Sequence, residues 1–349
     1  MIFSFVSTPN AYSKNVRLLI IAVFISFSTL AQSASTASEP TPLNWIDELN
    51  LTGGFPEKLL STRTVVFHDY TLTHKELKDA QEYFQRTGID AVSYFELDLL
   101  MSNRDVTKAF SDYLIKREIQ NLVMIEKGEN KYRVTITVFN GKENVVDARQ
   151  PAWSLSNSVL TEILKTLYRS ASTNNLKRTN LLINDLPEAD ATINPITGRR
   201  NEFFAIDMKV DPLAVPKTGD ELTDKNIEEI FKANYPLKYK ITDVGLTDKE
   251  LRKQGYLYVM CIIRTRVVAA KDLLGYDMTK AASAIASVTY DGGEPQLKNI
   301  PSNTPVYKVY FKHIDSGNVF LGTKWDADLT VEQALMNQIR GLKAELKLN

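Results

Sequence analysis

The stretch NLVMIEKGENKYRVTITVF, residues 121–139, decides how the chain is read. Two runs rich in Val, Ile, Thr and Tyr flank Gly128-Glu129-Asn130, a short polar break of the kind that joins antiparallel strands. A lone hairpin cannot bury its apolar side chains, so this one implies a larger sheet. Working outward toward the amino terminus, Asn103 to Glu118 carries Val106, Ala109, Phe110, Tyr113 and Leu114 at helical spacing, and Asp90 to Met101 reads as a strand. Thr73 to Arg86 is a predicted helix in which Glu76 follows Thr73 at capping-box spacing and Gly88 supplies the stop; Thr64 to Tyr70 is a strand. On the other side, Leu155 to Ser170 sets Val159, Leu160, Ile163, Leu164 and Leu167 on one helical stripe. A β-α-β-α order followed by a hairpin and a helix predicts a mixed sheet covered by helices, an α+β domain over 62–172.

Residues 173–202 lack sustained periodicity and carry Pro187, Pro195 and Gly198, which predicts a linker or a segment crossing between domains. A second α+β domain is expected over 203–349. FFAIDMKV from Phe203 is a candidate strand, and Thr223 to Asn234 is a helix with acids in its first turns. Strands follow at Leu237 to Val244, Tyr256 to Val268, Ala284 to Tyr290 and Val306 to Ile314. Asp315-Ser316-Gly317-Asn318 reads as a hairpin turn, and Thr330 to Leu346 as an amphipathic closing helix. Both domains thus close with a hairpin and an amphipathic helix. In each ending an aromatic-basic-valine triplet (Tyr132-Arg133-Val134, Tyr307-Lys308-Val309) precedes a turn, a tryptophan (Trp153, Trp325) and a helix. A degenerate repeat accounts for this, and so does the frequency of ββα endings in unrelated sheets.

The length of 349 residues suits two such domains after removal of a leader. Residues 1–17 contain Lys14 and Arg17 and no acid, and LLIIAVFISFSTL, residues 18–30, is an apolar run too short for a comfortable span. Small residues Thr29 and Ala31 predict a signal peptide over 1–31, cleaved after Ala31. A polar segment, 32–61, follows, with a short element around Trp45 to Leu51 and a turn at Gly53-Gly54. No other segment reaches spanning length, so no transmembrane span is expected in the mature chain. The whole chain has 42 Lys plus Arg and 42 Asp plus Glu, and loss of Lys14 and Arg17 leaves 40 basic residues against 42 acidic ones. That balance offers no long-range attraction to nucleic acid or anionic lipid. Cys261 is the one cysteine, so no internal disulfide forms, and its apolar surroundings in YLYVMCIIRTRVV predict a buried strand residue. A large exported chain without disulfides fits the envelope of a Gram-negative bacterium, as a periplasmic or cell-surface protein.

The first block, with its β-α-β-α run before a hairpin and a final helix, resembles the small mixed-sheet domains of Gram-negative envelope proteins. The amino-terminal domain of the Tol-system propeller protein and the activator lipoproteins of penicillin-binding proteins are of this kind. Unlike those lipoproteins, this chain has no cysteine beside its leader to acylate. The segment VYKVYFKHIDSGNVFLGTKWDADLTVEQALMNQIRGLKAEL, residues 306–346, also looks like the ends of uncharacterised exported bacterial proteins. The first of these resemblances implies a binding role.

Motifs for catalysis are missing from the sequence: there is no Gly-x-Ser-x-Gly elbow, phosphate-binding glycine loop, Cys-x-x-Cys or His-Glu-x-x-His. No cofactor or metal is expected. Asp315, Asp326 and Asp328 do not form a calcium loop, and His68 and His74 lack further ligands at metal spacing. Glu96 and Asp98, two apart on a predicted strand, have the spacing of an acid pair that acts on a glycosidic bond, which makes an exported hydrolase the alternative reading. The leading expectation is a non-enzymatic binding or assembly module of the envelope that contacts another envelope protein. Trp153, Tyr307 and Trp325 are its candidate interface residues, because buried aromatics anchor interfaces.

Overall fold

A computed structural model describes residues 46–51, 54–174, 176–183, 186–188, 191–278, 282–290 and 293–348. The expected leader, the polar stretch after it as far as Trp45, and Gly53 lie outside the described residues. The first block comprises Asn50–Leu51 (β1), Arg63–His68 (β2), His74–Thr87 (α1), Asp90–Glu96 (β3), the single turn Leu97–Leu100 (α2), Arg104–Lys116 (α3), Ile119–Lys127 (β4), Tyr132–Val138 (β5), Pro151–Asn157 (β6) and Leu160–Thr173 (α4). The second comprises Arg200–Asn201 (β7), a 3₁₀ turn at Ile206–Lys209, Leu213–Pro216 (β8), Glu221–Asn234 (α5), Tyr239–Thr242 (β9), Asp248–Lys253 (α6), Tyr258–Arg266 (β10), Val267–Leu273 (α7), Ala284–Thr289 (β11), Gln296–Pro301 (β12), Pro305–His313 (β13), Val319–Phe320 (β14) and Val331–Leu346 (α8).

Local chemistry sets several of these boundaries. Thr73 caps α1: its hydroxyl accepts from the Glu76 amide while the Glu76 carboxylate accepts from the Thr73 amide at 2.7 Å, so two orphan donors are satisfied together. Gly88 ends α1 at φ 98°, a left-handed conformation that costs glycine little. Thr247 and Glu250 repeat the reciprocal cap on α6, and Thr330 caps α8.

The sheets give an α+β fold, and the second repeats the topology of the first. One sheet runs β1-β6-β5-β4-β2-β3 and the other β7-β14-β13-β10-β8-β9. The pairing directions also match position by position: parallel, antiparallel, antiparallel, parallel, parallel. Helices occupy equivalent connections, α1 and α5 after the second strand of each set, α3 and α6 after the third, α4 and α8 after the last. In each sheet the first and last of these pack together on one face. Phe84, Ile163 and Leu167 meet Val66, Val123 and Ile136 there in the first block; Phe231, Leu335 and Ile339 meet Leu213, Met260 and Phe311 in the second.

The opposite faces share one apolar cluster. Phe67, Phe95 and Met124 of the first sheet, Phe110 and Leu114 of α3, and Ile263, Val306 and Tyr310 of the second sheet all belong to it. The chain crosses between the sheets over 176–199, which carries no regular element among its described residues. The amides of Thr179 and Asn180 bond to the Leu60 carbonyl, that of Glu188 to Val92, and Ile193 and Ile196 pack on the shared cluster. Gly198 then lies so close to the 315–318 turn that a Cβ there would meet the Gly317 backbone and the Ser316 carbonyl at 2.4 Å.

Several expectations need correction. The strand from Asp90 stops at Glu96 and the chain turns helically, burying Leu100 and Met101 in the shared cluster. Pro151–Asn157 is a sixth strand, so Trp153 lies in the sheet and α4 starts at Leu160. Phe203 to Val210 is not a strand; the strand is Leu213–Pro216, which follows Pro212 and lies between β10 and β9, with Pro216 at its end, where a missing amide costs least. The segment from Tyr256 leaves the sheet at Arg266 to form α7. Although the strands correspond between blocks, the tryptophans do not: Trp153 lies inside β6, and Trp325 lies beyond β14 in a different cluster.

Candidate functional site

Glu96 and Asp98 converge on one guanidinium. Arg266, at the end of β10, donates through Nε to Asp98 at 2.7 Å and through Nη2 to Glu96, and Thr265 donates its hydroxyl to Asp98 at 2.9 Å. The guanidinium is buried and lies 4.1 Å from the centre of the Tyr70 ring, a cation–π contact that closes its other face. Burial alone lowers the Arg266 pKa, but the hydrogen bond with Asp98 and the two carboxylate charges outweigh it and raise the pKa. An acid pair of a glycosidase needs one carboxyl that holds a proton and another free to attack or activate water. Here the acids bond to a permanent cation, and the arrangement fastens the end of β3 to the second sheet.

A second clamp also joins the two blocks. Lys312 of β13 reaches Asp105 at 2.7 Å and Asp248 at 2.8 Å, so it joins the amino ends of α3 and α6. Asn103 donates to the Tyr310 hydroxyl at 3.0 Å, and Arg104 donates to the carbonyls of Gly245 and Leu246. The Cys261 thiol lies against this group, and burial pushes its pKa up.

Asp326 and Asp328 are also tied to lysines. Lys308 is fully buried and donates to Asp326 at 2.5 Å, to the Leu321 carbonyl and to Gln338, while Asp328 accepts from Lys298 at 2.7 Å. Among the described residues no group of three or more His, Cys, Asp or Glu is arranged to hold a metal ion. His68 hydrogen-bonds to the Asp69 carbonyl.

The three candidate aromatics lie in three different places. Trp153 is buried against Phe55, with ring centroids 4.8 Å apart, and Trp325 is buried edge-on to Tyr276 at 5.1 Å. Tyr307 is half-buried on β13 beneath the Arg264 guanidinium. No common surface brings them together, and the tryptophans pack the core.

A different segment presents apolar surface. Phe203, Ile206 and Val210 are 66%, 69% and 67% exposed, whereas Phe204 and Met208 between them are buried. The segment is anchored, because the Phe204 ring packs on Phe311 and its amide donates to Glu345 at 2.5 Å, while the 3₁₀ turn satisfies the following amides. Three large apolar side chains are therefore held in water by a fixed backbone. Asp207 and Asp211 flank them without an ion pair among the described residues, and their charges add to burial in pushing the Tyr258 pKa up to about 12. Within the segment the apolar side chains thus stand beside two acids, Asp207 and Asp211, and one base, Lys209. Sequence reading missed it because FFAIDMKV also satisfies a strand pattern, and only the fold shows which of its apolar residues face out.

Comparison with models of known protein families finds no match to this chain, and comparison with curated protein sequences finds no significant match.

Proposed function

We propose that this chain is an exported, non-enzymatic binding or assembly module of the bacterial cell envelope that works through protein–protein contacts. The observation that carries the proposal is the Phe203–Val210 ridge, where exposed apolar side chains on an anchored backbone mark an interaction surface. The two acids favour a partner that surrounds an apolar face with Lys or Arg. Export rests on the leader-like residues 1–31, and the resemblance of the first block to envelope binding domains agrees with the same role. No described helix is long and apolar enough to cross a membrane. The hydrolase alternative gains no support from the geometry, since Arg266 engages both of its acids.

The test is crosslinking in intact cells that make the protein, followed by isolation of the tagged chain. One stoichiometric envelope protein should accompany it and be lost in the double substitution Phe203→Asp, Ile206→Asp, with the thermal midpoint unchanged because both side chains are exposed. A partner retained by a folded double variant would contradict the assignment of this surface.

A further inference from the structure

The repeat exposes an element that the fold does not need. In the first sheet, β4 and β5 are joined by the four residues 128–131; in the second, the equivalent strands β10 and β13 are separated by residues 267–304, which contain α7 and the β11–β12 hairpin. This hairpin forms its own two-stranded sheet. Its inner face is fixed to the body: Ser287 donates to the Ala327 carbonyl, Lys298 pairs with Asp328, and Thr289 and Ile300 are buried.

One backbone bond determines which edge is open. The Val288 amide donates to the Trp325 carbonyl at 2.8 Å, so it points away from β12, and the Val288–Leu297 pair is of the non-hydrogen-bonded kind. It follows that the amides and carbonyls of Leu297 and Asn299 point outward from the free edge of β12. Among the described residues these backbone groups have no partner. The outward face beside them carries Ala284, Ala286, Val288, Leu297, Asn299 and Pro301, without a charge, and Leu297 is 76% exposed. Edge strands are ordinarily blunted by outward charges. The one lysine of β12 instead turns inward to Asp328.

We infer that β12 pairs with β12 of a second copy of this chain, antiparallel about a two-fold axis at Lys298, to make a continuous four-stranded sheet. In this register Leu297 lies opposite Asn299 of the second copy, and each such pair exchanges two backbone hydrogen bonds, so all four exposed amides find acceptors. The two Lys298 residues face each other at the axis, each neutralised by its own Asp328. The second copy is the occupant the edge fits, because the outward groups between Gln296 and Pro301 are self-complementary in this register, and the uncharged faces continue across the join.

Sedimentation equilibrium of the mature protein tests the inference. A concentration-dependent dimer is expected, and Leu297→Lys, which sets two charges beside the axis, should weaken it by about tenfold or more while Leu222→Lys on α5 leaves it unchanged. Asn299→Pro removes an outward amide that no intramolecular bond uses and should weaken the dimer likewise, with thermal unfolding confirming that each variant folds. Hydrogen exchange on the unaltered protein gives a second reading, in which the Leu297 and Asn299 amides should slow as concentration rises. A protein that stays monomeric at all concentrations, a dimer indifferent to Leu297→Lys, or Leu297 and Asn299 amides whose exchange ignores concentration would each overturn the proposal.

Discussion

Arg266 illustrates how a neighbour decides what a carboxylate can do. Glu96 and Asp98 have the spacing of an acid pair in the sequence, yet their partner lies 168 to 170 residues away and becomes visible only once β10 is placed beside the end of β3. The same limit applies to the tryptophans, whose burial follows from clusters that gather residues distant in the chain and not from local pattern. Asp98 and Glu96 retain some solvent contact, so their loss of a partner should cost less than in a fully dry pair. Arg266→Ala is expected to lower stability by about 2–4 kcal/mol in chemical denaturation, and Asp98→Asn in the Arg266→Ala background should cost little more. Equal and additive losses would show that the clamp contributes no coupling.

At the scale of elements, sequence pattern and structure coincide where local chemistry and periodicity agree. Helices α1, α3 and α8 begin one residue after Thr73, Asn103 and Thr330, their expected starts, because these residues are local caps that tertiary packing does not override, whereas α5 begins two residues before the expected Thr223, on the cap Asp220. Strand β6 is not legible locally because PAWSLSN opens with proline and runs into a helical stripe, nor is β8, because Pro212 precedes it and Pro216 ends it. Those strands form through their neighbours, which sequence alone does not display. The cap of α1 also predicts a pH dependence. Burial tends to raise the Glu76 pKa, but hydrogen bonds from Tyr132, Thr73 and Lys127 prevail and hold it at about 2 against an ordinary 4.5. A depressed folded-state pKa stabilises the fold above the ordinary value, and the contribution is lost as pH falls from about 4.5 toward about 2. Glu76→Gln should therefore flatten the acid limb of a stability–pH profile, while an unchanged limb would assign it to other groups.

For the whole molecule, sequence made the two-block order and a hint of duplication legible. What it concealed was the shared cluster between the sheets, because the residues facing it, such as Phe110 and Ile263, obey the same periodicity as those facing their own helices. Phe110 touches Phe67 and Phe95 edge-on at 5.4 and 5.2 Å, so Phe110→Ala should cost about 3–5 kcal/mol. Both blocks are expected to unfold in one transition, and the variant should shift that transition as a whole; a biphasic melt would show that the cluster does not couple the sheets. The candidate site was hidden for a related reason: the ridge is defined by exposure, and exposure is a property of the finished fold.

Whether Phe203–Val210 meets another protein is tested most directly by a photoreactive amino acid at Ile206 in living cells, with Leu222 on α5 as an equally exposed control. A single discrete adduct with an envelope protein is expected from position 206 and none from position 222. Irradiation that yields no adduct at 206, or the same diffuse adducts at both positions, would contradict the proposed contact.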